Sequence, residues 1–335
     1  MSLGSGWSGK RVLVTGAGGF IGSHLTEALV RRGAHVRAFL HYNSRSDWGL
    51  LSLAPSDVRA EIDARFGELT DPWSVDAAVQ GCEAVFHLGA LIAIPYSYVA
   101  PASYVDVNIT GTLNVLQAAR ARGVTRVIHT STSETYGTAR YTPIDEEHPL
   151  QGQSPYSASK IAADKIVESF WRSFETPVAI VRPFNTYGPR QSARAVIPTI
   201  AAQALAGLPK LKLGSLDPIR DLLYVEDTVE GFLAAGAADA CLGTVTNLGT
   251  GTGISIGDLA RKILHIAGRP DMPIDTDPDR VRPENSEVFE LVCDATKALE
   301  RCGWRAKISL DEGLERTVDS IRQSLALYRP ATYTV

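Results

Sequence analysis

The sequence predicts an α/β protein: a doubly wound parallel sheet with helices on both faces, followed by a smaller C-terminal α/β lobe. Three observations predict it. Short apolar runs alternate with helix-period segments over the first half of the chain. A glycine-rich turn joins the first run to the first helical segment. Beyond about Gly188 prolines and glycines become frequent and the apolar runs shorten.

Residues 11–16, RVLVTG, form an apolar run ending in glycine, as a buried parallel strand does. Residues 20–32 carry Ile21, Leu25, Ala28 and Leu29 at helical spacing, and Gly33 stops them. Strands are expected at 35–40, 60–66 and 84–88, with a helix at 73–79. A long helix over 104–122 ends at Gly123. A strand at 126–131, a helix at 157–174 and a strand at 178–182 complete the alternation, which requires parallel crossovers. In the second lobe, short strands are expected at 210–213, 244–248 and 287–293, and helices at 254–267 and 310–328. The division falls between 8–187 and 188–330, with the lobe interleaved with the end of the sheet.

Composition narrows the function. The 335 residues are 44% apolar and 21% charged, with net charge −4 and no basic block, which argues against a nucleic-acid partner. No apolar run is long enough to span a bilayer. The Gly/Ser-rich N-terminus does not read as a secretory signal, so a cytoplasmic protein is expected. Four cysteines, with no CxxC pair and no histidine cluster, predict free thiols and no metal site.

The turn TGAGGFIG places Gly16, Gly19 and Gly22 between strand and helix. Gly16 permits the tight turn, Gly19 lets main chain approach a pyrophosphate, and Gly22 lets the helix pack closely. The helix start at Phe20 and Ile21 offers free N–H groups and a partial positive charge. This is a Rossmann-type dinucleotide site. The carboxylate expected at the end of the second strand is missing; His41, Ser44 and Arg45 stand there instead. Arg45 suits a 2′-phosphate, so NAD and NADP both remain open. Glu68, with Leu69 beside it, follows the third strand as a candidate for the adenine amino group.

Tyr156 and Lys160 form YxxxK. Four residues apart on a helix, they share a face. An ammonium near a phenol lowers its pKa, making a base for a sugar hydroxyl. Thr132 ends the strand between the turn and this helix.

With these motifs the chain resembles the extended short-chain dehydrogenase/reductase family of nucleotide-sugar epimerases and dehydratases. The likeness also rests on HLGA, ending in Leu88 and Ala90, on NITGT at 108–112, on RPFNTYGP at 182–189 and on RDLLYVED at 220–227. It implies that Asn185, Arg220 and Arg282 meet a substrate diphosphate. It also implies that segments containing Val196 and Leu213 surround the base, and that LIAIPYSYV, with Tyr96 or Tyr98, covers the sugar. It favours NAD, tightly held and recycled, and a homodimer through a four-helix bundle.

The stretch Ser131-Thr132-Ser133-Glu134 is similar to the Thr-Ser-Glu variant of hexose 4,6-dehydratases and decarboxylases. The nearest likeness is to legionaminic-acid-pathway dehydratases acting on nucleotide-linked N-acetylglucosamine, UDP- or GDP-linked. The implied reaction oxidises C4, removes the C5 proton with Glu134, expels the 6-hydroxyl and returns hydride to C6. Ser133 replaces an aspartic acid, leaving open whether Ser133 or Glu134 protonates the leaving oxygen. A UDP-glucuronate decarboxylase, a 4-epimerase and a non-catalytic dinucleotide sensor or scaffold are the competing readings.

Overall fold

A computed structural model describes residues 6–280 and 286–330. Six strands follow in succession: β1 (Arg11–Thr15), β2 (His35–His41), β3 (Asp63–Gly67), β4 (Ala84–His87), β5 (Arg126–Thr130) and β6 (Val178–Pro183). Next come β7 (Asn185–Tyr187), β8 (Leu211–Leu213) and β9 (Ile219–Tyr224), which lie elsewhere. Then β10 (Val245–Leu248) returns to the sheet. The sheet has seven strands in the order β10-β6-β5-β4-β1-β2-β3, and every neighbouring pair is parallel.

Period-2 alternation loads both faces of this sheet. Along β1, Val12 and Val14 join one core with Leu25, Leu29 and Phe232, while Leu13 joins the other with Val85, Leu116 and Val167. The helices of the first half are α1 (Phe20–Arg31), α2 (Ser56–Ala60), α3 (Pro72–Val79), α4 (Ile94–Val99), α5 (Pro101–Tyr104), α6 (Gly111–Ala121) and α7 (Pro155–Phe174). Then come α8 (Val196–Leu205), α9 (Val225–Ala237), α10 (Ile256–Ile266), α11 (Thr296–Cys302) and α12 (Leu310–Gln323). The lobe has its own core, where Ile200, Leu213, Leu259, Ile263, Leu314 and Val318 meet. Its small sheets are β11 (Gly253–Ser255) and β13 (Glu290–Leu291) on β9, and β12 (Ile274–Thr276) on β8.

Several expectations need correcting. The strand expected over 60–66 starts at Asp63, because the preceding residues close the short helix α2 and turn at Glu61. The helix expected over 104–122 is interrupted by a π-helical turn at Val105–Thr110. There Asn108 donates to the Leu91 carbonyl and to Ser159 Oγ (both 2.9 Å), so one side chain ties α7 to the loop after β4. The strand expected over 287–293 shrinks to Glu290–Leu291. The last helix ends at Gln323, and a separate 3₁₀ turn covers Leu325–Tyr328. The run at Val245–Leu248 pairs with β6, so the lobe is interleaved with the end of the sheet, as expected. The short elements α2, α4, α5, β7, β11, β12 and α11 were not anticipated, nor were the longer α8, β9 and α9. No helix among the described residues is long and apolar enough to cross a membrane.

Candidate active site

Two cavities meet at the C-terminal ends of the strands, where ligands bind in open α/β sheets. The larger is about 1040 Å³. Its wall begins with the glycine turn. Gly16 sits at φ +70°, and a Cβ there would lie 2.7 Å from the Gly89 nitrogen. A Cβ on Gly22 would lie 2.1 Å from the Gly16 carbonyl oxygen, so this glycine fits the helix against the turn itself. Gly19 caps α1 without any side-chain hydrogen bond, and the first turn has no acidic residue. The N–H groups of Phe20, Ile21 and Gly22 therefore remain for an anion.

Further along this wall lie His41, Ser44 and Arg45, then Glu68 and Leu69, then Leu88 and Ala90. His41 Nδ1 stands 3.1 Å from Glu68 Oε2, so β3 supplies a carboxylate beside the place where β2 lacks one. Asn43, absent from the sequence candidates, shapes the loop: its Oδ1 accepts the Arg45 and Asp47 N–H groups at 3.2 and 2.8 Å. An uncapped helix N-terminus, a close main-chain turn and a carboxylate at the far end fit a dinucleotide.

Thr132, Ser133, Glu134 and Tyr156 line the same cavity. Ser154 caps α7 through a reciprocal capping box with Ser157, so the helix starts at Pro155 and carries Tyr156 in its first turn. Glu134 is half-buried. Lys160 is buried behind Tyr156 and takes no part in the wall; its Nζ donates to the Thr130 carbonyl at 2.6 Å.

The expected lowering of the tyrosine pKa is not found. Burial pushes the Tyr156 phenol well above its ordinary value; Thr132 opposes this by hydrogen bonding, and the nearby Glu134 charge adds to it. The lysine meanwhile is drawn down to about 8 by its own burial, opposed by Asp164.

The smaller cavity, about 580 Å³, opens into the first along Asn185 and Gln191. Val196, Leu213 and Arg220 line it, as do Tyr98, Arg194 and Arg280, of which the sequence had suggested only Tyr98, as an alternative to Tyr96. Tyr96 lies outside both cavities, its ring 6.3 Å from that of Tyr104. Tyr96 and Tyr98 stand two residues apart on α4, roughly half a helical turn, so they face different ways. Arg220 is buried, with its Nη2 3.4 Å from Glu287 Oε1. Arg282 lies outside the described residues. Among those described, no group of three potential ligands could hold a metal ion.

The GDP-mannose 4,6 dehydratase family matches residues 13–317. A UDP-glucose 4-epimerase from Mycolicibacterium smegmatis is 32% identical over 93% of this chain and 98% of its own length. A dTDP-glucose 4,6-dehydratase from Streptomyces antibioticus is 31% identical over 95% of this chain and 94% of its own. The structure of the dTDP-glucose 4,6-dehydratase DesIV from Streptomyces venezuelae, solved with NAD bound, superposes with a TM-score of 0.83. It is 28% identical and covers 96% of this chain and 100% of its own.

Proposed function

This chain belongs to the extended short-chain dehydrogenase/reductase family of NAD-dependent nucleotide-sugar epimerases and dehydratases, and from that premise we propose that it is a 4,6-dehydratase. Its substrate in this reading is a UDP- or GDP-linked N-acetylglucosamine, and its product a 4-keto-6-deoxy sugar. The observation that carries the reading is the Glu134 carboxylate in the wall that Tyr156 also lines. A 4-epimerase needs one base for the 4-hydroxyl; an elimination needs a second group for the C5 proton.

NAD, when bound, would supply the hydride chemistry: an acceptor for the C4 hydride and a donor of the same hydride. The uncapped start of α1 holds the pyrophosphate, and Glu68 with His41 holds the adenosine end. Tyr156, hydrogen-bonded with Thr132, takes the 4-hydroxyl proton. The resulting ketone acidifies C5–H. Glu134 removes that proton and delivers it to the 6-hydroxyl, which leaves as water; when the hydride returns to C6, C5 takes a proton drawn from solvent through Glu134, and the 4-hydroxyl proton passes from Tyr156 to solvent. Ser133 is buried and its hydroxyl is a poor acid, so in this reading Glu134 and not Ser133 protonates the leaving oxygen. Arg220 and Asn185 meet the diphosphate, Val196 and Leu213 the base, and Tyr98 the sugar side. By the family resemblance two copies would pair through α6 and α7; light scattering tests whether the protein is a dimer.

The similarity to a UDP-glucose 4-epimerase favours a second reading, in which Glu134 is a bystander. Product mass separates the two: loss of water for the dehydratase, none for the epimerase, and loss of carbon dioxide for a decarboxylase. Glu134→Gln is expected to keep nucleotide binding, lower turnover by roughly 10²–10⁴-fold, and abolish deuterium wash-in at C5. Continued wash-in would remove Glu134 from the reaction.

A further inference from the structure

Behind the reacting face lies a dry cluster of charge that the proposed chemistry leaves unused. Tyr156, Lys160 and Asp164 follow one another at four-residue intervals on α7, which sets them along one face. Asp164 has no solvent exposure. Its Oδ2 accepts hydrogen bonds from Ser131 Oγ at 2.6 Å and Arg182 Nη2 at 2.8 Å. Its Oδ1 stands 3.2 Å from His129 Nε2. Arg182 Nε donates to Ser131 Oγ at 3.2 Å, and its guanidinium lies 4.6 Å over the Tyr136 ring.

We propose that Asp164 is a positioning residue for the Tyr156–Lys160 couple: anchored by Ser131 and Arg182, its carboxylate is the counter-charge that keeps Lys160 an ammonium beneath the cavity. The inference rests on reading Tyr156 and Lys160 as the proton-transfer couple, which the dehydratase and epimerase readings share.

The groups around Lys160 come from four elements. Asp164 lies on α7 with it, the Thr130 carbonyl and His129 on β5, and His87 on β4, while Arg182 on β6 meets it only through Asp164; Tyr156 is one helical turn before it on α7. Burial holds both histidines uncharged at neutral pH, His129 down at about 4 and His87 well below its ordinary value. Arg182 stays charged. The set therefore contains two cations and one anion. Lys160, already lowered to about 8 by burial, is the cation that gives up its proton when the anion is removed. Burial already outweighs any help the ammonium gives Tyr156, so loss of that charge would leave the phenol still harder to deprotonate.

A role limited to tying α7 to β5 and β6 would change stability and leave the lysine's titration where it is. The test is therefore the titration itself. In cofactor-loaded protein carrying ¹⁵N-lysine, the Lys160 Nζ resonance is assigned by its loss in Lys160→Met and followed with pH. The midpoint is expected to fall by roughly one pH unit or more in Asp164→Asn and to stay near the native value in Asp164→Glu. In the native protein the Asp164 carboxyl ¹³C resonance is expected to inflect at the lysine's midpoint. That measurement stands even where Asp164→Asn fails to fold. An unchanged Lys160 midpoint in folded Asp164→Asn, or no inflection at Asp164 in the native protein, would overturn the proposal. Absence of turnover with a normal shift would count against the proposed function and leave Asp164's role intact.

Discussion

The two joined cavities are built from different materials. The wall assigned to the cofactor is mostly main chain: a positive-φ glycine, a glycine pressed against a carbonyl and an uncapped helix end. The wall beside α8 is mostly side chain, with Tyr98, Asn185, Arg194, Arg220 and Arg280 arriving from separate segments. A main-chain wall has no room for an added methyl group, whereas a side-chain wall can be altered one contact at a time. The first kind of site is a pattern in the chain; the second is an appointment kept in space.

The sharpest way to break this contrast is Gly22→Ala. The added carbon would sit 2.1 Å from the Gly16 carbonyl oxygen, and neither backbone can move independently. We expect a stability loss of about 3 kcal/mol and depletion of co-purifying dinucleotide, read by denaturant unfolding and by absorbance after extraction. A stable variant with full cofactor would show that the wall is softer than its geometry implies. Arg220→Met tests the other wall. Losing a charge-assisted contact of roughly 1.5–3 kcal/mol should raise KM for the nucleotide sugar by roughly 10–100-fold, with dinucleotide binding unchanged. Equal damage to both ligands would erase the distinction.

The smallest effect concerns the floor beneath the main-chain wall. His87 Nδ1 lies 2.8 Å from Thr15 Oγ1, and its Nε2 lies 3.0 Å from Thr112 Oγ1. Burial lowers the folded-state pKa of His129 to about 4 and that of His87 well below 6.5. The unfolded chain therefore binds more protons, and stability is lost as pH falls below 6.5. About 1 kcal/mol per histidine should disappear between pH 6.5 and 5.5. Urea unfolding at the two pH values checks this, and His129→Phe should flatten the dependence.

The same contrast explains what was legible beforehand. The glycine turn and YxxxK were readable because each is a local pattern whose spacing matches a turn or helix period, whereas Glu134 was singled out only through the resemblance of the Thr-Ser-Glu stretch. The succession of the first six strands along the chain followed from alternation, though their order in the sheet did not. Tyr98 was separated from Tyr96 only by the rotation of a short helix. Arg194 and Arg280 left no local signal, since their shared cavity forms only when the lobe closes on itself. Asp164 was also invisible as a functional candidate: a lone aspartate in an amphipathic helix reads as a surface charge. It is instead buried, because Arg182 and His129 reach it from strands that lie far from it in sequence.

One feature of the sheet bears on how the chain can be cut. Every residue of β6 is buried, and its outer neighbour β10 comes from beyond the lobe's first helices. The polypeptide thus leaves the sheet, builds much of the second lobe, and comes back to seal the margin. A fragment ending near residue 187 would keep the glycine turn and the reacting side chains, yet present an apolar ladder with open hydrogen-bonding groups. Such a piece would recruit copies of itself in place of the missing strand. The lobe is therefore a stitch that holds the sheet's hem as well as a place for substrate.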